Sequence, residues 1–112
     1  ITIRDDLFER YRSSEDFIQK YIFPGGFLPS LGFMKSLIKK NNLNLLKVNS
    51  YPDDYAKTLA TWRENFIKVW SNIAPLGFDE TFKRMWEFYL SYCEAGFKSK
   101  NIDLIQFSMS NK

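Results

Sequence analysis

The chain has 112 residues, of which 45% are hydrophobic, 18% aromatic and 26% charged, and its formal net charge is +3. This length fits one domain at most, and a modest charge without a clustered basic stripe argues against nucleic-acid binding. Because the chain has no histidine, neither a zinc site nor a histidine-based catalytic triad is available within it. The single cysteine, Cys93, cannot form an internal disulfide and favours a reducing cytoplasm. No apolar run approaches the roughly 18 residues that a membrane-spanning helix needs.

The first part of the chain predicts a strand end followed by a helix. Residues 1–3 are a β-type triplet without an initiator methionine, and we interpret them as the cut end of a strand from a longer protein. Ser13 or Ser14 is expected to cap a helix over residues 15–22. Pro24 ends this helix, because proline lacks the backbone donor that the next helical turn requires.

The next segment predicts a second helix and a second strand. A helix is expected from Ser30 to about residue 40, with Asn42 available for a left-handed exit. Residues 43–51 are typical of a strand whose side chains alternate. Leu46 and Val48 are expected on one face of this strand, opposite the polar side chains of its other face.

Two long helices and a final strand complete the predicted elements. Residues 52–73 place aromatic and aliphatic side chains at steps of three and four, which predicts one amphipathic helix ended by Pro75 and Gly77. Asp79 is expected to cap a second long helix, which extends to about residue 97 and carries a similar apolar face. Residues 102–109 alternate in polarity and predict a strand.

The segment from Asp16 to Ser30, D-F-I-Q-K-Y-I-F-P-G-G-F-L-P-S, is the most distinctive of the chain. Its Pro-Gly-Gly turn is flanked by apolar side chains, whereas most loops between helices are polar. Glycine permits left-handed backbone angles and the close approach of another group. The turn therefore either folds over the core or lines an apolar cavity.

Three blocks of the sequence carry a family resemblance. They are the segment 16–30, the segment P-D-D-Y-A-K-T-L-A-T-W-R-E-N-F at 52–66, and the segment K-R-M-W-E-F-Y-L-S-Y-C-E-A-G-F at 83–97. In this order they resemble the carboxy-terminal part of cyclopropane-fatty-acyl-phospholipid synthases, which are S-adenosylmethionine-dependent methyltransferases acting on unsaturated lipid chains. The resemblance extends from residue 1 to about residue 109.

The resemblance implies an α/β fold, of which this chain is the carboxy-terminal fragment. The family has a seven-stranded, mostly parallel, Rossmann-like methyltransferase sheet. By analogy residues 1–3 end the fifth strand, residues 43–51 form the sixth, and residues 102–109 form the antiparallel seventh between them. Residues 1–112 are then a single, mostly helical unit whose cofactor-binding half is absent, and the fragment alone is expected to be inactive.

The resemblance also implies the chemistry. S-adenosylmethionine is the expected cofactor, and its site should lie outside this chain because the five glycines form no cofactor-binding turn. The family uses a bound bicarbonate ion as a base. Tyr55, in the setting D-Y-A-K-T-L, matches the tyrosine that holds this ion, and Ile1 matches the position that offers it a backbone group.

The expected substrate is the acyl chain of a phospholipid at a membrane surface. Candidate residues for the lining of the acyl channel are Tyr21, Ile22, Phe23, Pro24, Gly25 and Gly26. The expected location is the cytoplasm, peripheral to the inner membrane face. Self-association of the isolated fragment is also expected, since its strand edges lack their usual neighbours.

Two other functions remain open at this stage. The fragment could be a non-catalytic helical module that binds lipid or a protein partner through its aromatic surface. It could also belong to a related methyltransferase with a different acceptor, such as an amine. A glycine-rich methyltransferase motif upstream of Ile1 would favour either enzyme over the module.

Overall fold

The computed structural model describes all 112 residues, and it is mostly helical with four short strands. A 3₁₀ turn covers Asp5–Leu7, a π-helical segment covers Ile18–Ile22, and a second 3₁₀ turn covers Ala74–Leu76. The labelled elements are β1 (Thr2–Ile3), α1 (Phe8–Arg12), α2 (Leu31–Lys40), β2 (Leu43–Ser50), α3 (Pro52–Lys68), α4 (Trp70–Ile73), α5 (Glu80–Lys98), β3 (Ile102–Asp103) and β4 (Ile105–Asn111).

The strands form two antiparallel pairs. β1 pairs with β3, so that Thr2 lies opposite Asp103, and β2 pairs with β4 from Ser50 opposite Ile105 to Leu43 opposite Asn111. Because β3 and β4 are separated by a single residue, the last stretch of chain lies between β1 and β2. The prediction of a central antiparallel last strand is confirmed.

The core lies between α3 and α5, which run antiparallel to each other. Phe97 is completely buried, and it packs in one cluster with Ala56, Leu59, Leu90 and Cys93. Only ten of the 112 residues are buried, and the radius of gyration is 16.9 Å. A compact domain of this size would have a radius of gyration of about 13 Å. The chain is therefore elongated. Its core lies at one end of the α3–α5 pair, where Ala56 and Phe97 meet, and we call this end the base of the pair.

The helix predicted over residues 15–22 is shorter than expected and is capped differently. The regular segment begins at Ile18 and is π-helical. The hydroxyls of Ser13 and Ser14 do not cap it, because they donate back to the Glu9 and Arg10 carbonyl oxygens at the end of α1, each at 2.9 Å. Asp16 provides the cap instead, as described below.

Two further predictions about element geometry were wrong. Leu46 does not share a face with Val48, because a β-bulge between Leu45 and Lys47 shifts the register and leaves Leu46 64% exposed. The helix predicted over residues 52–73 is also interrupted at Val69, whose ψ of 10° is not helical, and α4 follows as a separate turn.

The predicted helix boundaries elsewhere are confirmed. The Ser30 hydroxyl accepts a hydrogen bond from the Phe33 amide at 3.1 Å, and the Asp79 carboxylate accepts one from the Phe82 amide at 2.8 Å. Asn42 has a φ of 55°, which provides the left-handed exit after α2. None of the helices has the length and apolar composition of a membrane-spanning segment.

A buried ion pair joins α3 to α5 next to the core. The Glu94 side chain is only 9% exposed, and its two carboxylate oxygens contact Lys98 Nζ at 2.6 Å and Arg63 Nη1 at 2.7 Å. Arg63 also donates to the Ser91 hydroxyl at 2.8 Å. The hydrogen bond from Lys98, aided by the Arg63 charge, lowers the pKa of Glu94. Glu94 is thus a satisfied structural carboxylate.

We expect Glu94→Gln to lower the free energy of unfolding by about 1–3 kcal/mol, because it removes the charged acceptor of the Lys98 hydrogen bond and of the Arg63 ion pair. A carboxylate with a lowered pKa stabilises the fold above its unfolded pKa of about 4.3, and this contribution is lost as the pH falls through the folded pKa. We would measure urea unfolding of Glu94→Gln and of the unsubstituted chain at pH 7 and pH 3. The difference in their free energy of unfolding should be smaller at pH 3 than at pH 7. An equal difference at both pH values would contradict this account.

We also expect copies of this chain to associate through β2, because its outer edge has no hydrogen-bonded neighbour. Exposed Leu46 lies on this strand. Leu46→Lys should reduce self-association measured by light scattering, since a lysine on an edge strand opposes pairing. Asn44→Lys adds the same charge to the strand without removing an apolar group, and it should have the smaller effect. A monodisperse monomer for the unsubstituted chain would rule out this association.

Candidate active site

An apolar cavity of about 270 Å³ lies beside the core, and 12 of its 15 lining residues are hydrophobic. One wall comes from the base of the helix pair, with Tyr55 and Leu59 on α3 and Tyr89, Cys93 and Phe97 on α5. The α5 residues are four apart, so they lie one above another on the same helix face. The cavity wall and the protein core therefore share residues.

The opposite wall comes from the Pro-Gly-Gly turn and the residues after it. Phe23, Gly26, Phe27 and Leu28 line the cavity here. The Phe23 ring packs edge-on against the Tyr89 ring, with centroids 6.2 Å apart, so the two walls touch. Of the Pro-Gly-Gly turn itself, Gly26 lines the cavity, whereas Pro24 and Gly25 do not.

The structure brings together only part of the predicted site. Ile1, Phe23, Gly26 and Tyr55 all line the cavity. The other four predicted channel residues do not line it: they are Tyr21, Ile22, Pro24 and Gly25. Their assignment to the acyl channel remains a prediction, as does every functional role given to the residues that meet here.

Tyr55 reaches the cavity because of its place in α3. Pro52 starts this helix, and Tyr55 follows at the end of the first turn. Its ring packs edge-on against Phe97 at 4.8 Å and against Trp62 at 5.9 Å between centroids. The ring is thus fixed by aromatic contacts, while its hydroxyl forms no hydrogen bond within the chain and is free to bind a ligand.

Tyr89 and Cys93 are cavity residues that the sequence did not reveal as such. Burial raises the pKa of Tyr89 to about 12 and that of Cys93 to about 11. At neutral pH both groups are protonated, so Tyr89 can donate a hydrogen bond and Cys93 is a poor nucleophile. Their only sequence signal was a pair of polar-tipped side chains on an otherwise apolar helix face.

The cavity could hold a small anion only through neutral donors. No lysine or arginine lines it, and Asp16 is the only charged side chain in the lining. The Tyr55 hydroxyl forms no hydrogen bond within the chain, and the Tyr89 hydroxyl interacts with the Cys93 thiol. The Tyr11 hydroxyl accepts a hydrogen bond from the Leu28 amide at 2.9 Å.

The glycines of this chain do not form a cradle for S-adenosylmethionine. A Cβ on Gly32 would lie 2.7 Å from the Asp5 carboxylate, and one on Gly96 would lie 3.0 Å from Ile102. These glycines therefore accommodate neighbours within the chain. Gly77 has a φ of 100° and ends the turn after α4. The residues described here do not by themselves fit the cofactor.

The fold matches solved methyltransferase structures. Mycolic acid cyclopropane synthase CmaA1, in a complex with SAH and CTAB, superposes with a TM-score of 0.79 at 30% identity, covering 93% of this chain and 35% of that one. Cyclopropane synthase MmaA2 from Mycobacterium tuberculosis gives a TM-score of 0.82 at 24% identity, covering 96% of this chain and 41% of that one, and shows the shared fold. The chain thus has the architecture of a segment of these α/β enzymes.

The family follows from sequence comparison. The family model described as mycolic acid cyclopropane synthetase matches residues 1–107, and the chain belongs to this family. Tuberculostearic acid methyltransferase UfaA1 of Mycobacterium tuberculosis (strain ATCC 25618 / H37Rv) is 44% identical over 99 residues, which cover 88% of this chain and 23% of the relative. Cyclopropane-fatty-acyl-phospholipid synthase of Escherichia coli (strain K12) is 34% identical over 98 residues, which cover 86% of this chain and 25% of the relative. The chain spans about a quarter of the length of these relatives.

Proposed function

We propose that the protein containing this chain transfers a one-carbon group from S-adenosylmethionine to the double bond of a phospholipid acyl chain, forming a cyclopropane ring. This chain supplies the wall of the acyl channel and part of a bicarbonate site. The observation that carries the proposal is the apolar cavity in which the predicted residues Ile1, Phe23, Gly26 and Tyr55 meet. Membership of the cyclopropane synthetase family supports it.

The cavity suits a reaction in which positive charge develops on carbon. When bound, S-adenosylmethionine supplies an electrophilic methyl group, which the acyl double bond attacks. Phe23, Phe97 and the neighbouring apolar side chains exclude water, which would otherwise quench the cationic chain. The faces of aromatic rings also attract positive charge. In this proposal the walls protect and stabilise the reacting chain.

Tyr55 holds the base in this proposal. Its fixed ring and unengaged hydroxyl allow it to donate a hydrogen bond to an anion in the cavity. A bicarbonate ion held there would supply the base for the proton that the new methyl group loses as the ring closes. Tyr89 offers a second hydroxyl from the facing helix, and the backbone of Ile1 is a further predicted contact. We further propose that the protein acts in the cytoplasm at the inner membrane face, where its acyl substrates are anchored.

A second product is favoured by one observation. UfaA1, whose name describes a methyltransferase, is more similar to this chain than the cyclopropane-fatty-acyl-phospholipid synthase, at 44% against 34% identity. A methyl-branched acyl chain is therefore the alternative product. The same walls serve both reactions, because each begins with attack of the double bond on the methyl group.

The proposal is tested with the full-length protein, radiolabelled S-adenosylmethionine and phospholipid vesicles. Vesicles of unsaturated lipid should accept label, whereas vesicles of saturated lipid should not, because only the former carry a double bond. Gas chromatography of the methyl esters, with proton spectra for ring hydrogens, separates cyclopropane from branched products. Label transfer to amines but not to acyl chains would contradict the proposal, and no transfer to any acceptor would favour the non-catalytic module.

We expect Tyr55→Phe to lower kcat by about tenfold to a hundredfold in the same assay, because the variant loses one donor to the anion while keeping its ring packing. The KM for S-adenosylmethionine should stay within about twofold. Tyr51→Phe removes a hydroxyl four residues away, outside the cavity lining, and serves as the matched control. Equal turnover for the two variants would remove Tyr55 from the mechanism.

A further inference from the structure

The turn that forms one cavity wall has few bonds to the rest of the chain. Residues 24–27 lie in no helix or strand. Their Gly26 amide donates to the Phe23 carbonyl oxygen at 2.8 Å, which closes the turn on itself. The Phe27 ring contacts the Phe8 and Tyr11 rings from outside, with centroids 5.7 and 5.8 Å apart. These ring contacts place Phe27 against α1.

Gln19 supplies the one directional bond between these four residues and another element. Its side-chain Nε2 donates to the Gly26 carbonyl oxygen at 3.1 Å. Both residues line the cavity, and the Gln19 side chain is part-buried. Apart from the bond between Gly26 and Phe23, no other hydrogen bond joins residues 24–27 to the rest of the chain, and the next residue is held by the Tyr11 hydroxyl, which accepts from the Leu28 amide at 2.9 Å.

The Gln19 side chain is itself held by a reciprocal capping box with Asp16. The Gln19 amide donates to Asp16 Oδ1 at 2.8 Å, and Gln19 Oε1 accepts from the Asp16 amide at 3.0 Å. The carbonyl end of the Gln19 amide is therefore anchored, and its NH₂ end is aimed at Gly26. A glutamate could satisfy the same capping box, but it could not donate to the Gly26 carbonyl.

The turn is also closely packed, so its residues cannot shift independently of one another. A Cβ on Gly26 would lie 2.9 Å from the Phe23 carbonyl oxygen, so the backbone at these two positions is in close contact. A displacement of Gly26 therefore shifts Phe23, whose ring meets Tyr89 across the cavity. The bond from Gln19 to Gly26 thus contributes to the placing of the Phe23 wall, together with the bond from the Phe23 amide to the Ile18 carbonyl oxygen at 2.8 Å.

We propose that Gln19 is a positioning residue for the acyl substrate: by anchoring Gly26 it holds the Phe23 wall at the distance that an acyl chain fills. This inference rests on the proposed function. It assigns to Gln19 no contact with the reacting atoms, because its role is exerted through the turn.

The test compares Gln19→Glu with Gln106→Glu in the full-length protein. Both changes exchange an amide for a carboxylate, but Gln106 is exposed on β4 and does not line the cavity. Gln19→Glu keeps the capping box and replaces the bond to Gly26 with repulsion between two acceptors. We expect its KM for unsaturated phospholipid to rise by about tenfold, with kcat and the KM for S-adenosylmethionine within about twofold of the unsubstituted protein.

Gln19→Met distinguishes positioning from folding. It removes both the capping-box acceptor and the donor to Gly26, so its melting temperature should fall further than that of Gln19→Glu, which keeps the capping box. A KM for lipid that is equal in Gln19→Glu and Gln106→Glu would overturn the inference. A loss confined to kcat would overturn it as well.

Hydrogen exchange separates failure of this inference from failure of the proposed function. The Gly26 amide, which donates to the Phe23 carbonyl oxygen, should exchange about tenfold faster in Gln19→Glu than in Gln106→Glu, whatever reaction the protein catalyses. Unchanged exchange would overturn the anchoring role even in an active enzyme. If exchange rises while no variant transfers label to lipid, the anchor stands as a structural feature, but its role toward an acyl substrate is overturned together with the proposed function.

Discussion

The close packing of α3 against α5 around Phe97 is the constraint on which the cavity depends. Phe97 is fully buried, and its ring fixes that of Tyr55, so the same side chain completes the core and orients the site. The buried Glu94–Arg63 pair lies beside this cluster and joins the same two helices. Because the wall is also core, substitutions there should alter stability and ligand binding together.

Local signals in the sequence predicted the elements well where one side chain decides the outcome. Ser30 and Asp79 cap their helices, and Asn42 adopts the left-handed backbone, because these effects depend only on neighbouring residues. The bulge at Leu46 and the cap at Asp16 were missed. The bulge depends on pairing with β4, and the serines before Asp16 had a competing partner in the carbonyl oxygens of α1.

The site was predictable only in part, and for a physical reason. Tyr55, Phe23 and Gly26 lie in segments whose sequence resembles a known family, and these residues do meet in the cavity. Tyr89 and Cys93 were assigned to an apolar helix face, because the spacing of core residues and of cavity-lining residues is the same. Only the three-dimensional arrangement separates them, since it shows empty space on one side of that face.

The elongated shape has a mechanical consequence. From Glu94, α5 runs 14 residues towards its N-terminal residue Glu80, a distance of about 21 Å at the rise of an α-helix. The pair stays packed over this distance, because Phe66 of α3 meets Phe82 of α5 with ring centroids 6.5 Å apart, and Trp70 of α4 donates to the Glu80 carboxylate at 3.3 Å. The helix pair is therefore braced at both ends, by the Arg63–Glu94 contact and by this distal cluster, and it should move as one rigid body.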